Sequence, residues 1–255
     1  MPVGESQRRR KVMPPYSASA DIYDRMVGCF AFDHWRENFE LLEERFGFDL
    51  SVVADAACGT GIAASYLAER GAMVYASDLS PQMLAQAAAW RANGRIRYML
   101  QDMRYLQVPV RASLVNCATD AMNHLLAEAD VESALASFRA ALRPGGYAVF
   151  DMNTPWQLRE GSDPETWEFD VEGQHMRWLS SWDEKEMIHT LTIVFTARGV
   201  GGLDVVEEHR ERAFEVPWML DALRRMGFTF AEAFDAAGLG GAVERTRRLV
   251  YVARA

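Results

Sequence analysis

Residues 52 to 61 read Val-Val-Ala-Asp-Ala-Ala-Cys-Gly-Thr-Gly. An apolar run ends on an acid and passes at once into a glycine turn, the pattern of a buried strand feeding a helix. Gly59 and Gly61 let the backbone turn tightly and approach a ligand where a Cβ would clash. The following helix, expected from about Gly59 to Glu69, would aim its free N–H groups and positive dipole end at that ligand. A second apolar run, Met73 to Ser77, ends at Asp78.

The same alternation continues outward from this stretch. Strands are expected at Leu50 to Asp55, Met73 to Asp78, Ile96 to Leu100, Ser113 to Ala118 and Tyr147 to Met152. Between them, Ser80 caps a helix with Pro81 at its first position that runs to Asn93-Gly94, and Asp130 caps one carrying Val131, Leu135, Phe138 and Leu142. Strands this apolar, separated by helices, imply an α/β fold: a doubly wound, mostly parallel sheet covered on both faces. In such sheets the ligand sits beyond the carboxyl ends of the strands, where these acids and glycines cluster.

The flanks read differently. Residues 1–15 are polar and basic, include Arg8-Arg9-Arg10-Lys11 and end in Pro14-Pro15, so a disordered tail is expected. Residues 16–48 form an N-terminal helical cap, with Asp33 as N-cap and Trp35, Phe39, Leu42 and Phe46 on one face. Residues 156–214 switch to strand period, with Trp167 to Val171, Gln174 to Trp182, Met187 to Phe195 and Leu203 to Arg212 separated by turn signals. They read as an antiparallel β insertion, placed as a lid over the crevice or as a dimer surface. Residues 49–155 and 215–255 make the ligand-binding domain, with Pro217 to Met226 a helix and Phe228 to Phe234 and Leu249 to Ala253 a closing hairpin.

Composition excludes several classes. The 255 residues are 49% hydrophobic and 25% charged, ordinary for a globular protein that buries a sizeable core. A net charge of −9 argues against a nucleic-acid partner. No apolar run approaches the ~20 residues of a membrane span, and no secretory signal follows the basic tetrad. Cys29, Cys58 and Cys117 show no disulfide or metal-ligand spacing, which suits a reducing cytoplasm.

The ligand is a nucleoside-containing cofactor. Asp78, at the second strand's end, is placed to accept both ribose hydroxyls, and Asp102, beyond the third strand, an exocyclic amine such as that of adenine. Gly59-Thr60-Gly61-Ile62-Ala63-Ala64 also fits the dinucleotide fingerprint, so an NAD oxidoreductase is the rival. Asp55 speaks against it, because a carboxylate there favours a cationic segment over a diphosphate.

Asp55-Ala56-Ala57-Cys58-Gly59-Thr60-Gly61 resembles motif I of the class I S-adenosylmethionine-dependent methyltransferases, with Ala57 in place of the first glycine. Ser77-Asp78-Leu79-Ser80-Pro81 is similar to the second motif and Gln101-Asp102-Met103 to the adenine-binding one. Asn116 to Asn123 resembles the loop after strand four, and Arg143-Pro144-Gly145-Gly146 with Val149 to Pro155 completes the series. The resemblance covers about residues 20 to 155 plus the last strand pair. It implies a seven-stranded sheet with a reversed final strand, and S-adenosyl-L-methionine as cofactor with S-adenosyl-L-homocysteine as product. It implies cofactor contacts at Asp55, Ala57, Gly59, Gly61, Asp78, Leu79, Met83, Asp102, Met103, Asn116, Ala118 and Thr119. Ile22-Tyr23-Asp24, the Asp151 to Pro155 segment and the insert are loosely similar to glycine and amino-sugar N-methyltransferases.

A sulfonium makes its methyl group electrophilic, so the protein's task is to hold the acceptor in line and exclude water. A neutral amine needs only a lone pair and a destination for its proton, whereas a hydroxyl needs a base. His124 follows the strand-four loop and is the candidate base, with Tyr16 and Tyr23 as positioners. His175, His189 and His209 are further histidines to weigh, His189 as a core histidine and His209 as part of a solvated ladder with Glu207 and Glu211. Asn153, Trp178 and His209 are candidate acceptor contacts; Met176, Trp178 and Trp182 share one strand face that would form an aromatic floor or pack as core. The expected acceptor is a small organic molecule, N-methylation slightly ahead of O-methylation. A non-catalytic sensor with the same pocket is the remaining alternative.

Overall fold

The computed structural model describes residues 9–161, 166–171, 173–196 and 203–255, without the side chains of 27–30. Seven strands form the main sheet: β2 (Val52–Ala56), β3 (Met73–Asp78), β4 (Ile96–Leu100), β5 (Ala112–Cys117), β6 (Leu142–Asn153), β11 (Phe230–Asp235) and β12 (Arg248–Arg254), in the order β11-β12-β6-β5-β2-β3-β4. β2 pairs in parallel with β3 and β5, β3 with β4, and β5 with β6, while β12 runs antiparallel to both β6 and β11. The order steps outward on both sides of the β2–β5 pair, so a crevice opens at the carboxyl ends of those strands.

The sheet is apolar on both faces because helices cover both. On one face α4 (Glu128–Ala141) and α6 (Val216–Arg225) bring Val131, Leu135, Phe138, Met219 and Leu223 onto the strands. On the other, α1 (Cys29–Phe46) and α2 (Ile62–Glu69) contribute Trp35, Phe39, Leu42 and Leu67. α3 (Pro81–Trp90) begins as its sequence dictates: the Ser80 side chain accepts from the Met83 N–H and Pro81 occupies the first turn. It stops at Trp90, short of the expected Asn93-Gly94.

Three expectations are corrected. Residues 9–13 are not a disordered tail: β1 (Arg9–Met13) pairs in parallel with the insertion, whose edge offers it unpaired backbone groups. Residues 1–8 lie outside the described part. Asp33 is not a cap, since α1 begins at Cys29 and Asp33 lies inside it, 3.7 Å from Arg36. Asp130 sits in the first turn of α4, whose cap position is Ala127, and its carboxylate turns to Arg104 at 2.7 Å.

The antiparallel insertion is present after β6 and the short helix α5 (Pro155–Glu160). β7 (Thr166–Val171), β8 (Gln174–Asp183), β9 (Ile188–Phe195) and β10 (Leu203–Arg212) form a second sheet in the order β1-β10-β9-β8-β7. The turn signal at Gly199 to Gly202 lies outside the described residues. In register, Met176, Trp178, Ser180 and Trp182 oppose Phe195, Ile193, Leu191 and His189, which in turn oppose Val205, Glu207, His209 and Glu211. That face packs against Ala18, Ile22 and Met26 of the N-terminal segment. Glu207, fully buried, accepts from the Ala18 N–H, the Ser19 N–H at 3.2 Å and the Ser19 hydroxyl at 2.8 Å. The insertion and the N-terminal segment are therefore packed and hydrogen-bonded to one another over the crevice.

Candidate active site

A cavity of about 730 Å³ opens at the carboxyl ends of β2, β3 and β5. Its floor is the glycine turn. Gly59 has φ +54°, and a Cβ added there would meet nothing within 4 Å, so it borders open space. Asp78 fixes the turn: its Oδ2 accepts the Gly59 N–H at 2.8 Å and its Oδ1 the Ser80 N–H at 2.8 Å. Burial raises the Asp78 carboxyl above the usual range against those two bonds. Ala57, at φ +54°, and Leu79 and Met83 line the same wall.

Asp55 is 1% exposed, and burial pushes its carboxyl up to about 7; Asp78 adds to the rise and an Asn116 hydrogen bond opposes it. Its Oδ1 accepts from Asn116 Nδ2 at 2.6 Å, while Oδ2 has no partner in the protein. A buried carboxylate oxygen without a partner, on a residue of the cavity lining, is a fit for a cationic ligand and a misfit for a diphosphate.

Asp102 and Met103 line the cavity at the far side. Asp102 is already engaged, holding Arg104 with both oxygens, the shorter contact at 2.6 Å, which keeps its carboxyl below the usual range. Arg104 also reaches Asp130, so any amine at Asp102 shares it with a guanidinium.

Ala118 and Thr119 border the cavity on the loop after β5, and Thr119 and Asp120 both adopt left-handed backbone, φ 57° and 53°. Consecutive non-glycine residues in that region store strain of the sort that collects at working sites. Behind them Arg248 pairs with Asp120 at 2.8 Å and Asp151 at 2.7 Å. Glu211, bonded to Asn153 Nδ2 at 3.0 Å, is pushed up to about 8 by burial and by Asp120.

The expected catalytic residues come together. Tyr16, Tyr23 and His124 all line the cavity, with the Tyr16 and Tyr23 rings edge-on at 5.9 Å. The Tyr16 hydroxyl lies 2.8 Å from His124 Nε2, and His124 Nδ1 lies 3.1 Å from the Arg210 carbonyl. A carbonyl only accepts, so Nδ1 carries the proton and Nε2 presents its lone pair to Tyr16. Burial depresses the His124 pKa and keeps the ring neutral, and burial with Tyr23 nearby raises that of Tyr16.

Five expected site residues lie off the cavity wall. Gly61 faces the core: a Cβ there would sit 2.7 Å from the Tyr98 hydroxyl. Asn116 is fully buried between Asp55 and the Trp35 indole, so it does not run beside a sulfonium. Asn153 holds Glu211 and Asn123. Trp178 packs edge-on against Phe169 at 4.9 Å, in the cluster joining the insertion to the N-terminal segment. His209 is buried, not part of a solvated ladder; it binds Glu207 at 3.1 Å and supports the Tyr16 ring at 4.6 Å. His189 is buried, but its Nε2 has no hydrogen-bond partner among the described residues, so it is not the satisfied core histidine expected; His175 lies beside Asp170 at 3.5 Å.

Sequence reasoning missed Asp24. Its carboxylate accepts from the Thr60 hydroxyl at 2.5 Å and pairs with Arg91, binding the N-terminal segment to the glycine turn. The signal was Asp24 itself, quoted only as part of a motif. Among the described residues no cluster of His, Cys, Asp and Glu could hold a metal, and no helix is long and apolar enough to cross a membrane.

Residues 53–146 match the methyltransferase-domain family. The chain is 31% identical over 147 residues to a dTDP-3-amino-3,6-dideoxy-α-D-glucopyranose N,N-dimethyltransferase of Streptomyces fradiae, covering 57% of this chain and 56% of that one. It is 34% identical over 147 residues to a glycine/sarcosine N-methyltransferase of Parasynechococcus marenigrum (strain WH8102), covering 55% and 51%. An S-adenosylmethionine-dependent methyltransferase structure from Clostridium acetobutylicum superposes with a TM-score of 0.80 at 22% identity, over 94% of this chain and 98% of that one. Sheet order and reversed final strand agree with that fold, and the dinucleotide reading falls away. The chain carries a methyltransferase domain over residues 53–146 and has the fold of the class I S-adenosylmethionine-dependent methyltransferases.

Proposed function

We propose that this enzyme methylates a nitrogen of a small organic acceptor and that Tyr16 and His124 remove the proton the nitrogen must lose. The observation that carries this is the 2.8 Å contact between the Tyr16 hydroxyl and a neutral His124 on the cavity wall. When bound, the cofactor supplies a methyl group made electrophilic by its sulfonium. Asp55, Gly59 and Asp78 would hold it, with Asp102 and Met103 at the adenine end and Ala57, Leu79, Met83, Ala118 and Thr119 along its length.

The Tyr16 oxygen donates its proton to His124 Nε2 and keeps its own lone pairs for an N–H of the acceptor. As that nitrogen gains a methyl group, its proton passes to the Tyr16 oxygen while the phenolic proton moves to Nε2. The Arg210 carbonyl then stabilises the imidazolium through Nδ1–H. Tyr23 packs against Tyr16 and keeps the nitrogen's surroundings dry.

Around the cavity, Arg104 is committed to Asp102 and Asp130, and Arg248 behind it to Asp120 and Asp151. The similarity to an amino-sugar and a glycine N-methyltransferase supports nitrogen as the accepting atom. The insertion, whose β10 contributes Glu208 and Arg210 to the wall, acts as the lid of a small-molecule site. Free Cys58 and Cys117 suit a reducing cytoplasm.

The test is a panel of small amines and matched phenols and carboxylic acids, incubated with S-adenosylmethionine and read by product mass. N-methylated products are expected, lost in Tyr16→Phe. Methyl esters or ethers alone would overturn the proposal.

A further inference from the structure

Trp35, Asn116 and Asp55 form a buried chain of hydrogen bonds that proton removal from the acceptor does not use. The Trp35 indole N–H donates to Asn116 Oδ1 at 3.1 Å, and Asn116 Nδ2 donates to Asp55 Oδ1 at 2.6 Å. All three are at least nine-tenths buried. We propose that Trp35 and Asn116 are positioning residues that hold Asp55 in the form able to receive the cationic part of the methyl donor, coupling helix α1 to the donor pocket. The inference rests on the cavity taking S-adenosylmethionine and is independent of which acceptor is used.

Asn116 can present either its NH₂ or its carbonyl oxygen to Asp55, and the two have opposite effects. An NH₂ favours the carboxylate; a carbonyl oxygen at that distance favours the protonated acid. The indole N–H can only donate, so it must meet the amide oxygen, and the NH₂ is left for Asp55. Trp35 itself cannot turn away, because it stacks on Phe39 at 5.0 Å and on Phe32 at 5.6 Å.

The other end of the chain points to a ligand. Asp55 Oδ2 is buried, has no partner in the protein and belongs to a residue on the cavity wall. Burial and Asp78 push the Asp55 proton on; the Asn116 bond alone among the named influences works to take it off. The amide orientation therefore decides whether the donor meets a charge or a neutral acid.

The test is the affinity of the full-length protein for S-adenosylmethionine by calorimetry from about pH 5.5 to about pH 8.5, for the parent, Trp35→Phe and Asn116→Leu. Trp35→Phe keeps an aromatic ring in the stack and removes the donor together with part of the indole's volume; Asn116→Leu removes the amide at similar volume. Dividing variant by parent affinity cancels the ionisation of the donor's own amino group. The expected ratio is near one at the alkaline end and falls as pH drops, about tenfold for each unit the Asp55 pKa rises. A ratio independent of pH in both variants, whether one or uniformly low, would overturn the positioning role and leave a packing one. Failure of the parent to bind at any pH would instead overturn the reading of the cavity, and the proposal with it.

Discussion

Tyr16 and His124 stand 108 positions apart in sequence, yet their hydroxyl and Nε2 meet at 2.8 Å. The contact exists because β1 binds the edge of β10 and delivers Pro14-Pro15-Tyr16 to the cavity, where Tyr16 takes left-handed backbone at φ 59°. Tyr16→Phe keeps the ring that rests on His209 and loses the proton path. Turnover is expected to fall about a hundredfold or more while donor affinity stays within about twofold. Steady-state kinetics beside donor binding by calorimetry checks this; equal losses in both would assign Tyr16 to the donor.

Asp78 anchors the glycine turn through Gly59 and Ser80 and is the proposed ribose contact. Asp78→Asn turns one acceptor into an NH₂ that faces a backbone N–H. Donor affinity should drop by about 1.5–3 kcal/mol, roughly ten- to a hundredfold. Unchanged affinity in a calorimetric titration would remove Asp78 from the cofactor site.

Gly61 and Gly59 are expected to fail differently. Gly61→Ala places a Cβ 2.7 Å from the Tyr98 hydroxyl at φ +81°, so the melting temperature should fall, by strain of about 1–2 kcal/mol plus the clash. Tyr98→Phe should recover part of the clash, the contact with Ala87 Cβ at 3.2 Å remaining. Gly59→Ala meets no protein atom within 4 Å, so its greater effect should be on donor binding. Thermal unfolding of the single and double variants separates the two.

Stability should also carry the signature of Glu211. Its folded pKa, about 8, lies above the ordinary carboxylate value of 4.5 because burial and Asp120 disfavour the charge. A group raised in the folded state stabilises the protein fully below its unfolded pKa, and that stabilisation is lost as pH rises through the folded one. The unfolding midpoint of the ligand-free protein should therefore decline between about pH 5 and about pH 8. Asp55, Asp78 and Asp151, raised by the same burial, act in the same direction. Glu211→Gln should flatten the decline; an unaltered slope in a denaturant series would contradict the assignment.

What sequence conveyed and what it did not follow from the range of the interactions involved. Strand and helix periods are local, so Met73–Asp78, Ile96–Leu100 and Leu203–Arg212 match their expected ends. Ser80-Pro81 is a local cap and held for the same reason. β1 was missed because its partner is an edge some 190 residues away, and a short basic run has no periodicity of its own. The cavity wall was legible at Asp55, Gly59, Asp78, Tyr16 and His124, residues whose neighbours form a motif or whose position follows a strand end. Gly61, Asn116 and His209 went elsewhere because Tyr98, Trp35 and Glu207, distant in sequence or on an alternating strand of mixed polarity, claim them first.

The most direct measurement uses S-adenosylmethionine carrying an isotopically labelled methyl group, incubated with the protein and small amines. The label should appear on the acceptor nitrogen in step with release of S-adenosylhomocysteine, and both should slow about a hundredfold or more in Tyr16→Phe. A donor that binds and stays intact with every amine, or a label found only on oxygen, would contradict the account.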